Sequence, residues 1–443
     1  MPATAVQISA QYLVNGDTEN PNVVLKEDRP IHDWYRLVLS YPPHLVRKYL
    51  EAFSVGKHDV MLDPFCGAGT TLVECRKNGI SAIGIDAHPI AVLASKVKTC
   101  WDLPVDLLGE LAQKIHRRAG REMARAGFDA PSLLGRMVAN QPILTEDEIK
   151  LIPEGFLSQK PLRRLLFLRA GIEDETAEHD HSILDFFRLA LCHVVVNGAG
   201  NFAFGPEIYR TKAKDDYDVL GHFALQVDTM IRDLRQIQAA HRRFCPCSVL
   251  DGDARILDGL EANSCDAVIC SPPYPNEKDY TRLTRVESVL LGLIRDRKQL
   301  RSVKQSLLRS NTRNVFVDDQ DGEWVKGNTR IQGICHAIEK RREELGKTSG
   351  FERLYHRVVA HYFGGMARHF EALRAKLKAR SRCAYVVGDQ LSFLLVPVPT
   401  ASLLAEIAEA HGFKTMACDP WRTRFGTKSG TRVREEVLIL EKR

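Results

Sequence analysis

The chain has 443 residues, 44% of them hydrophobic and 27% charged, and its 62 Lys+Arg against 56 Asp+Glu give a formal net charge of +6. That length excludes a small stapled module and suits two domains, or one domain with large insertions; the mild basic excess permits nucleic acid as a partner without demonstrating it. The eleven cysteines are scattered, and the close pair Cys245 and Cys247 lacks the spacing and companion pair of a zinc site, so reduced thiols and no metal are expected. The N-terminus MPATAVQISAQYLVNGDTEN has no basic flank before a long apolar run, and no stretch reaches the roughly 18 apolar residues of a membrane span. A cytoplasmic protein with no membrane partner is the expectation.

In chain order, residues 1–30 read as a polar arm, followed by an aromatic-rich segment and a helix in which Leu45, Val46, Tyr49 and Leu50 recur at helical spacing. Next comes a βαβα pattern: a strand from Val60 to Leu62, a glycine turn, a helix from Thr71 to Asn78, a strand from Ser81 to Ile85 and a second helix. Short loops between such units signal a parallel sheet covered by helices. From about Leu103 to Phe244 charged helical patterns follow one another with no strand between them, which predicts a helical insertion. The α/β pattern resumes with CSVLDGDAR and CDAVICSPPY. Residues 295–350 are rich in Arg, Lys, Asn and Asp and read as helical pieces joined by loops. A long amphipathic helix then runs through Gly364-Gly365, and FKTMACD and TRVREEVLILEKR are expected to pair antiparallel near the C-terminus.

Two stretches carry chemistry. The first is Asp63-Pro64-Phe65-Cys66-Gly67-Ala68-Gly69-Thr70-Thr71. Glycines at a strand-to-helix turn allow positive φ and close approach of a ligand, and the helix start offers free N–H groups. The spacing is neither that of a dinucleotide loop nor that of a triphosphate loop. Asp86 ends the next strand about twenty residues later, where a carboxylate accepts both hydroxyls of a ribose; alone it also has an ordinary reading as a helix cap. The second stretch is Ser271-Pro272-Pro273-Tyr274, which breaks a buried strand. Each proline lacks an N–H and cannot continue the ladder, so the corner is rigid. Taken alone it is also an ordinary turn with Tyr274 as a packing residue.

Together the two stretches resemble the cofactor loop and catalytic tetrapeptide of the S-adenosylmethionine-dependent amino-methyltransferases that modify exocyclic amines of DNA bases. The segment HDWYRLVLSYPPHLVRKYLEAF is similar to the one that closes over the methionine end of the cofactor, and DGDA to the motif that would bring Asp253 near the adenine. The resemblance covers 55–102 and 246–294 well, 381–443 loosely and the helical insertion hardly at all. It implies an α/β, doubly wound, Rossmann-like sheet with a large helical insertion. It also implies cofactor contacts at Asp63, Pro64, Phe65, Gly67, Gly69, Thr70, Thr71, Asp86 and Asp253, and catalytic groups at Ser271, Pro272, Pro273 and Tyr274. In the family a Ser at the first position goes more often with cytosine N4, and Asp with adenine N6. The expected substrate is therefore DNA methylated at cytosine N4. Adenine N6, RNA, and a non-catalytic cofactor-binding regulatory subunit remain as alternatives, and a restriction or defence system is the expected setting.

On this reading 1–54 form an arm and cofactor-closing segment, and 55–102 with 246–443 form the catalytic domain. The insertion 103–245 is a candidate target-recognition region, and 295–350 a basic sub-insertion. Asn276, Lys278, Tyr280, Arg282 and Arg285 follow the tetrapeptide and suit either a flipped base and its phosphates or a solvated helix start. The run Arg295–Arg313 and the segment 197–212 are further candidates for nucleic-acid contact, each with an ordinary surface reading beside it. His88 reads as a surface loop residue.

Overall fold

The computed structural model describes residues 23–37, 40–127, 141–205, 207–241, 243–425, 430 and 432–443; most of the expected polar arm, residues 1–22, lies outside them. The one-turn helix α1 (Arg29–His32) and α2 (Pro43–Ala52) precede β1 (Val60–Asp63), α3 (Thr70–Lys77), β2 (Ser81–Asp86) and α4 (Pro89–Thr99). Next come α5 (Val105–Arg125), α6 (Glu146–Leu151), α7 (Gln159–Glu175), α8 (His181–Val194), β3 (Phe202–Phe204), β4 (Ile208–Arg210) and α9 (Val219–Ala240). The α/β pattern returns with β5 (Cys247–Asp251) and β6 (Cys265–Cys270), then α10 (Tyr280–Leu283), α11 (Arg285–Leu290), α12 (Arg297–Ser306), α13 (Thr329–Glu344) and α14 (Tyr355–Lys376). The chain ends on β7 (Leu377–Gly388), α15 (Thr400–Ala410), β8 (Phe413–Phe425) and β9 (Arg432–Lys442). The first expected strands and helix fall within a residue of their observed bounds.

Among the described residues seven strands form one sheet in the order β5-β2-β1-β6-β7-β9-β8. The first five run parallel, β9 runs antiparallel to β7, and β8 antiparallel to β9 as the sequence suggests. Both faces are covered, which is why the strands read as nearly continuous apolar runs. Along β6, Ala267 and Ile269 face one core with Met61, while Val268 and Cys270 face the other with Leu62, the strict two-residue alternation of a strand. Helices α14 and α15 supply Phe363, Phe370 and Leu404 to the second core.

The helical stretch forms a further layer against α4. Its buried residues, Phe186, Phe187 and Phe223 among them, share one core with Ile90, Leu93 and Trp34. Two expectations are corrected here. A short antiparallel hairpin, β3–β4, interrupts the helices, because Phe202-Ala203-Phe204 and Ile208-Tyr209-Arg210 are too short to show a strand period. The helix His181–Ala199 does reach the length and apolar composition of a membrane span, but its apolar side chains are core. Phe186, Phe187, Leu189 and Ala190 are each 0% exposed, so burial inside the helical layer explains the composition.

The glycine pair in α14 has a packing cause. A Cβ on Gly364 would lie 1.8 Å from the carbonyl oxygen of Asp321, in the 3-10 turn Asp321–Val325, and one on Gly365 would lie 2.5 Å from Leu308 Cδ1. Gly→Ala in an exposed helix interior ordinarily gains about 1 kcal/mol. Gly109→Ala in α5, with nothing within 4 Å, should show that gain. Gly364→Ala should instead cost about 1–3 kcal/mol through overpacking, read from urea unfolding midpoints of the two variants; a gain at Gly364 would contradict the close approach.

Candidate active site

The site is set by where the chain turns away from the sheet. Strands β1 and β6 are parallel neighbours, with Leu62 opposite Val268. From β1 the chain departs toward β2, and from β6 toward β7, so a crevice opens at their carboxyl ends. A cavity of about 230 Å³ lies there. Its walls include Pro64, Phe65, Gly67, Thr70, Asp86, Asp253 and the whole tetrapeptide Ser271, Pro272, Pro273 and Tyr274. The two stretches singled out from sequence therefore meet in one cleft.

Three of the named residues lie beneath that cleft. Asp63 is fully buried; its carboxylate accepts from Phe65 N–H at 3.1 Å and from the Tyr41 hydroxyl at 2.9 Å. Thr71 Oγ1 lies 2.5 Å from the Tyr41 hydroxyl and 3.2 Å from the Ile269 carbonyl, linking the turn to β6. Gly69 has φ of +80°, and a Cβ there would lie 3.2 Å from Ser95 Cα, so this glycine lets α4 approach. Gly67, with φ of +51°, is the glycine that borders the cavity.

The carboxylates of the wall differ in what they have left to offer. Asp86 accepts from Gly67 N–H at 2.9 Å and from His88 N–H at 2.8 Å, and each oxygen keeps a further lone pair. Burial pushes its carboxyl up to about 6, against those two backbone bonds. Asp253 is gripped by the Arg255 guanidinium, Nε at 2.9 Å and Nη2 at 2.6 Å, and Arg255 reaches on to Asp321 at 2.6 Å. Glu435, also in the wall, pairs with Arg422 and with Arg424 at 3.1 Å. Glu287 accepts from the Tyr35 hydroxyl at 3.0 Å, and burial pushes it up to about 7.

At the tetrapeptide, Ser271 Oγ donates to the Val386 carbonyl at 3.0 Å. The Tyr274 ring is half-buried over Gly388, where a Cβ would come within 3.2 Å of Cε2. Gly388 thus makes room for the ring at the end of β7. Of the five residues flagged after the tetrapeptide, Tyr280 borders the cavity. Arg285 instead bonds the Thr281 carbonyl at 2.9 Å, Arg282 pairs with Glu207 at 3.5 Å, and Asn276 caps Lys278 N–H at 3.3 Å. The basic run divides as well: Lys304 pairs with Asp279 at 2.9 Å and Arg309 with Asp319 at 2.6 Å, while Arg297 and Lys298 are exposed.

His88 corrects the sequence reading. It is 6% exposed, in the cavity wall, and its Nδ1 accepts from Ile90 N–H at 3.3 Å as the cap of α4. Its Nε2 lies 3.0 Å from Thr284 Oγ1, whose own proton goes to the Tyr280 carbonyl at 2.9 Å. The network assigns a neutral ring with the proton on Nε2, and burial holds His88 down at about 4. The His-Pro pair at a helix start was the available signal. Tyr35 and Tyr41 lie in the segment 32–53 that resembles the cofactor-closing one, whereas Glu287 and Glu435 carried no signal, because they come from distant segments without local motifs.

The wall suits the cofactor that the resemblance implies. Asp86 retains acceptors for a diol, Gly67 leaves a cradle, and the wall carries four carboxylates against two arginines, Arg36 and Arg422, as befits a cationic ligand. Sheet order and cleft are those of an α/β Rossmann-like methyltransferase fold. The profile of the N6_N4_Mtase family, described as DNA methylase, matches residues 23–96. Over longer spans the chain is 25% identical to the Type II methyltransferase M.BsoBI of Geobacillus stearothermophilus, covering 91% of this chain and 82% of that one. It is 22% identical to the Type II methyltransferase M.AvaI of Nostoc sp., covering 87% and 80%. A stretch of 60 residues, 13% of this chain and 11% of the relative, is 49% identical to the Type II methyltransferase M.MjaII of Methanocaldococcus jannaschii. Family and fold imply S-adenosylmethionine as methyl donor, and the matches support a DNA amino-methyltransferase.

Burial pushes the Asp63 carboxyl up to about 7, opposed by the bonds from Tyr41 and Phe65. Its folded value therefore lies above the unfolded value of about 3.9. The stability it contributes is whole below the unfolded value and is lost as pH rises through about 7. Asp63→Asn removes that titration. Between about pH 4 and 7 the wild type should lose stability relative to the variant, by up to about 1.4 kcal/mol per pH unit in urea unfolding. A difference independent of pH would contradict the buried carboxyl.

Proposed function

We propose that the chain methylates an exocyclic amine of a DNA base rotated out of the duplex, N4 of cytosine, at the cleft between β1 and β6. The observation that carries this reading is the shared cavity bordered by the glycine turn and by Ser271–Tyr274. S-adenosylmethionine, when bound, supplies an electrophilic methyl on a sulfonium. Gly67 and Asp86 hold its adenosine side, Asp86 at the ribose.

The amine of cytosine is a poor nucleophile because its lone pair is delocalised into the ring. Ser271 donates its own proton to Val386 and meets the Tyr274 hydroxyl, which leaves an oxygen lone pair to accept an amine hydrogen. The Pro272 carbonyl accepts the other. Both bonds favour a pyramidal nitrogen with its lone pair aimed at the methyl, and the two prolines keep the acceptors from reorganising. Tyr274 stacks on the extruded base. The preference for cytosine N4 rests on Ser271 in the first position of the tetrapeptide.

Residues 55–102 with 246–443 act as the catalytic part, 1–54 as the closing segment, and 103–245 with 295–350 as the parts that read DNA. Phe204 of the β3–β4 hairpin borders the cavity, which supports a role for 197–212 near the base. Similarity to Type II methyltransferases supports a restriction-modification setting in the cytoplasm.

Labelled methyl transfer to DNA followed by nucleoside mass spectrometry tests the reading: N4-methylcytosine is expected, and N6-methyladenine, or label found in RNA alone, would overturn it. Ser271→Ala should lower transfer by about 100-fold or more while S-adenosylhomocysteine still binds. Asp86→Ala should instead weaken that binding by roughly tenfold or more. Undiminished turnover in the serine variant would reject its role.

A further inference from the structure

One carboxylate oxygen in the cavity wall has no donor. Glu287, on α11, is 1% exposed; its Oε1 takes the Tyr35 hydroxyl, and Oε2 has no partner among the described residues. The other carboxylates of the wall are served: Asp86 by two backbone N–H groups, Asp253 by Arg255, and Glu435 by Arg422 and Arg424. A buried oxygen without a donor costs about 1–3 kcal/mol, and more when charged. A donor that arrives with a ligand would remove that cost.

Its position indicates which donor. The Tyr35 carbonyl accepts from Lys98 Nζ at 2.9 Å, and the same ammonium donates to the Ala68 carbonyl at 3.0 Å. Glu287 is thereby held, through Tyr35, in one block with the Gly67–Ala68 turn. A neutral base amine would leave the carboxylate charge uncompensated, whereas an ammonium supplies three N–H groups and the opposite charge. We infer that Glu287 is the counter-charge for the α-ammonium of the methionine moiety of the cofactor. The inference rests on the cofactor reading of the cleft.

Isothermal titration of the full chain with S-adenosylhomocysteine and with methylthioadenosine, which lacks the amino acid, tests it. Glu287→Gln keeps the side-chain volume and an acceptor for Tyr35 but removes the charge. The variant should bind S-adenosylhomocysteine at least about tenfold more weakly and methylthioadenosine within about twofold of wild type. Equal losses for both ligands would mark a merely structural residue and overturn the inference. Unchanged S-adenosylhomocysteine affinity, with or without a loss of methyl transfer, would overturn it too and leave the cofactor reading standing. Failure of the wild type to bind either ligand would sink both.

Discussion

Parallel pairing of β1 with β6 is the constraint on which the site depends. The two strands end level, and the chain leaves them in opposite directions, so no crossover helix covers the gap between their tips. Every group assigned a chemical role either stands at that edge or is bonded to something that does. Thr71 reaches under the turn to the Ile269 carbonyl, and Ser271 reaches across to β7 at Val386. The cleft is thus built from neighbouring strands tied by hydrogen bonds, and its acceptors are in place before a substrate arrives.

The second feature is the way charge is handled in a confined space. Asp63 and Glu287 are raised by burial, and His88 is lowered by it, so each of the three resists carrying charge until a partner offsets it. Asp253 and Glu435 instead keep arginine partners. The Arg255–Asp321 pair does double duty, because it fixes the 3-10 turn that presses on Gly364 and so ties the segment after α12 to the turn that follows β5.

Much of the fold was legible because local period and global topology agree. The apolar runs around Met61 and Val268 announce strands buried on both faces, and Gly67, Gly69 and the two prolines mark turns by their backbone chemistry alone. The tips of those strands were legible too, as motifs. What the sequence hid depends on contacts between distant segments: Glu287 meeting Tyr35, His88 meeting Thr284, and the Gly364 approach to Asp321. The apolar helix His181–Ala199 shows the limit from the other side, since composition cannot tell a core helix from a membrane span until its neighbours are known.

A crystal structure of the protein with S-adenosylhomocysteine bound tests the central claim most directly. The account predicts the ligand across the tips of β1 and β2, its ribose on Asp86 and its sulfur facing the corner formed by Ser271 and Tyr274. A ligand seated away from that corner, or one whose sulfur is walled off from Ser271, would contradict it.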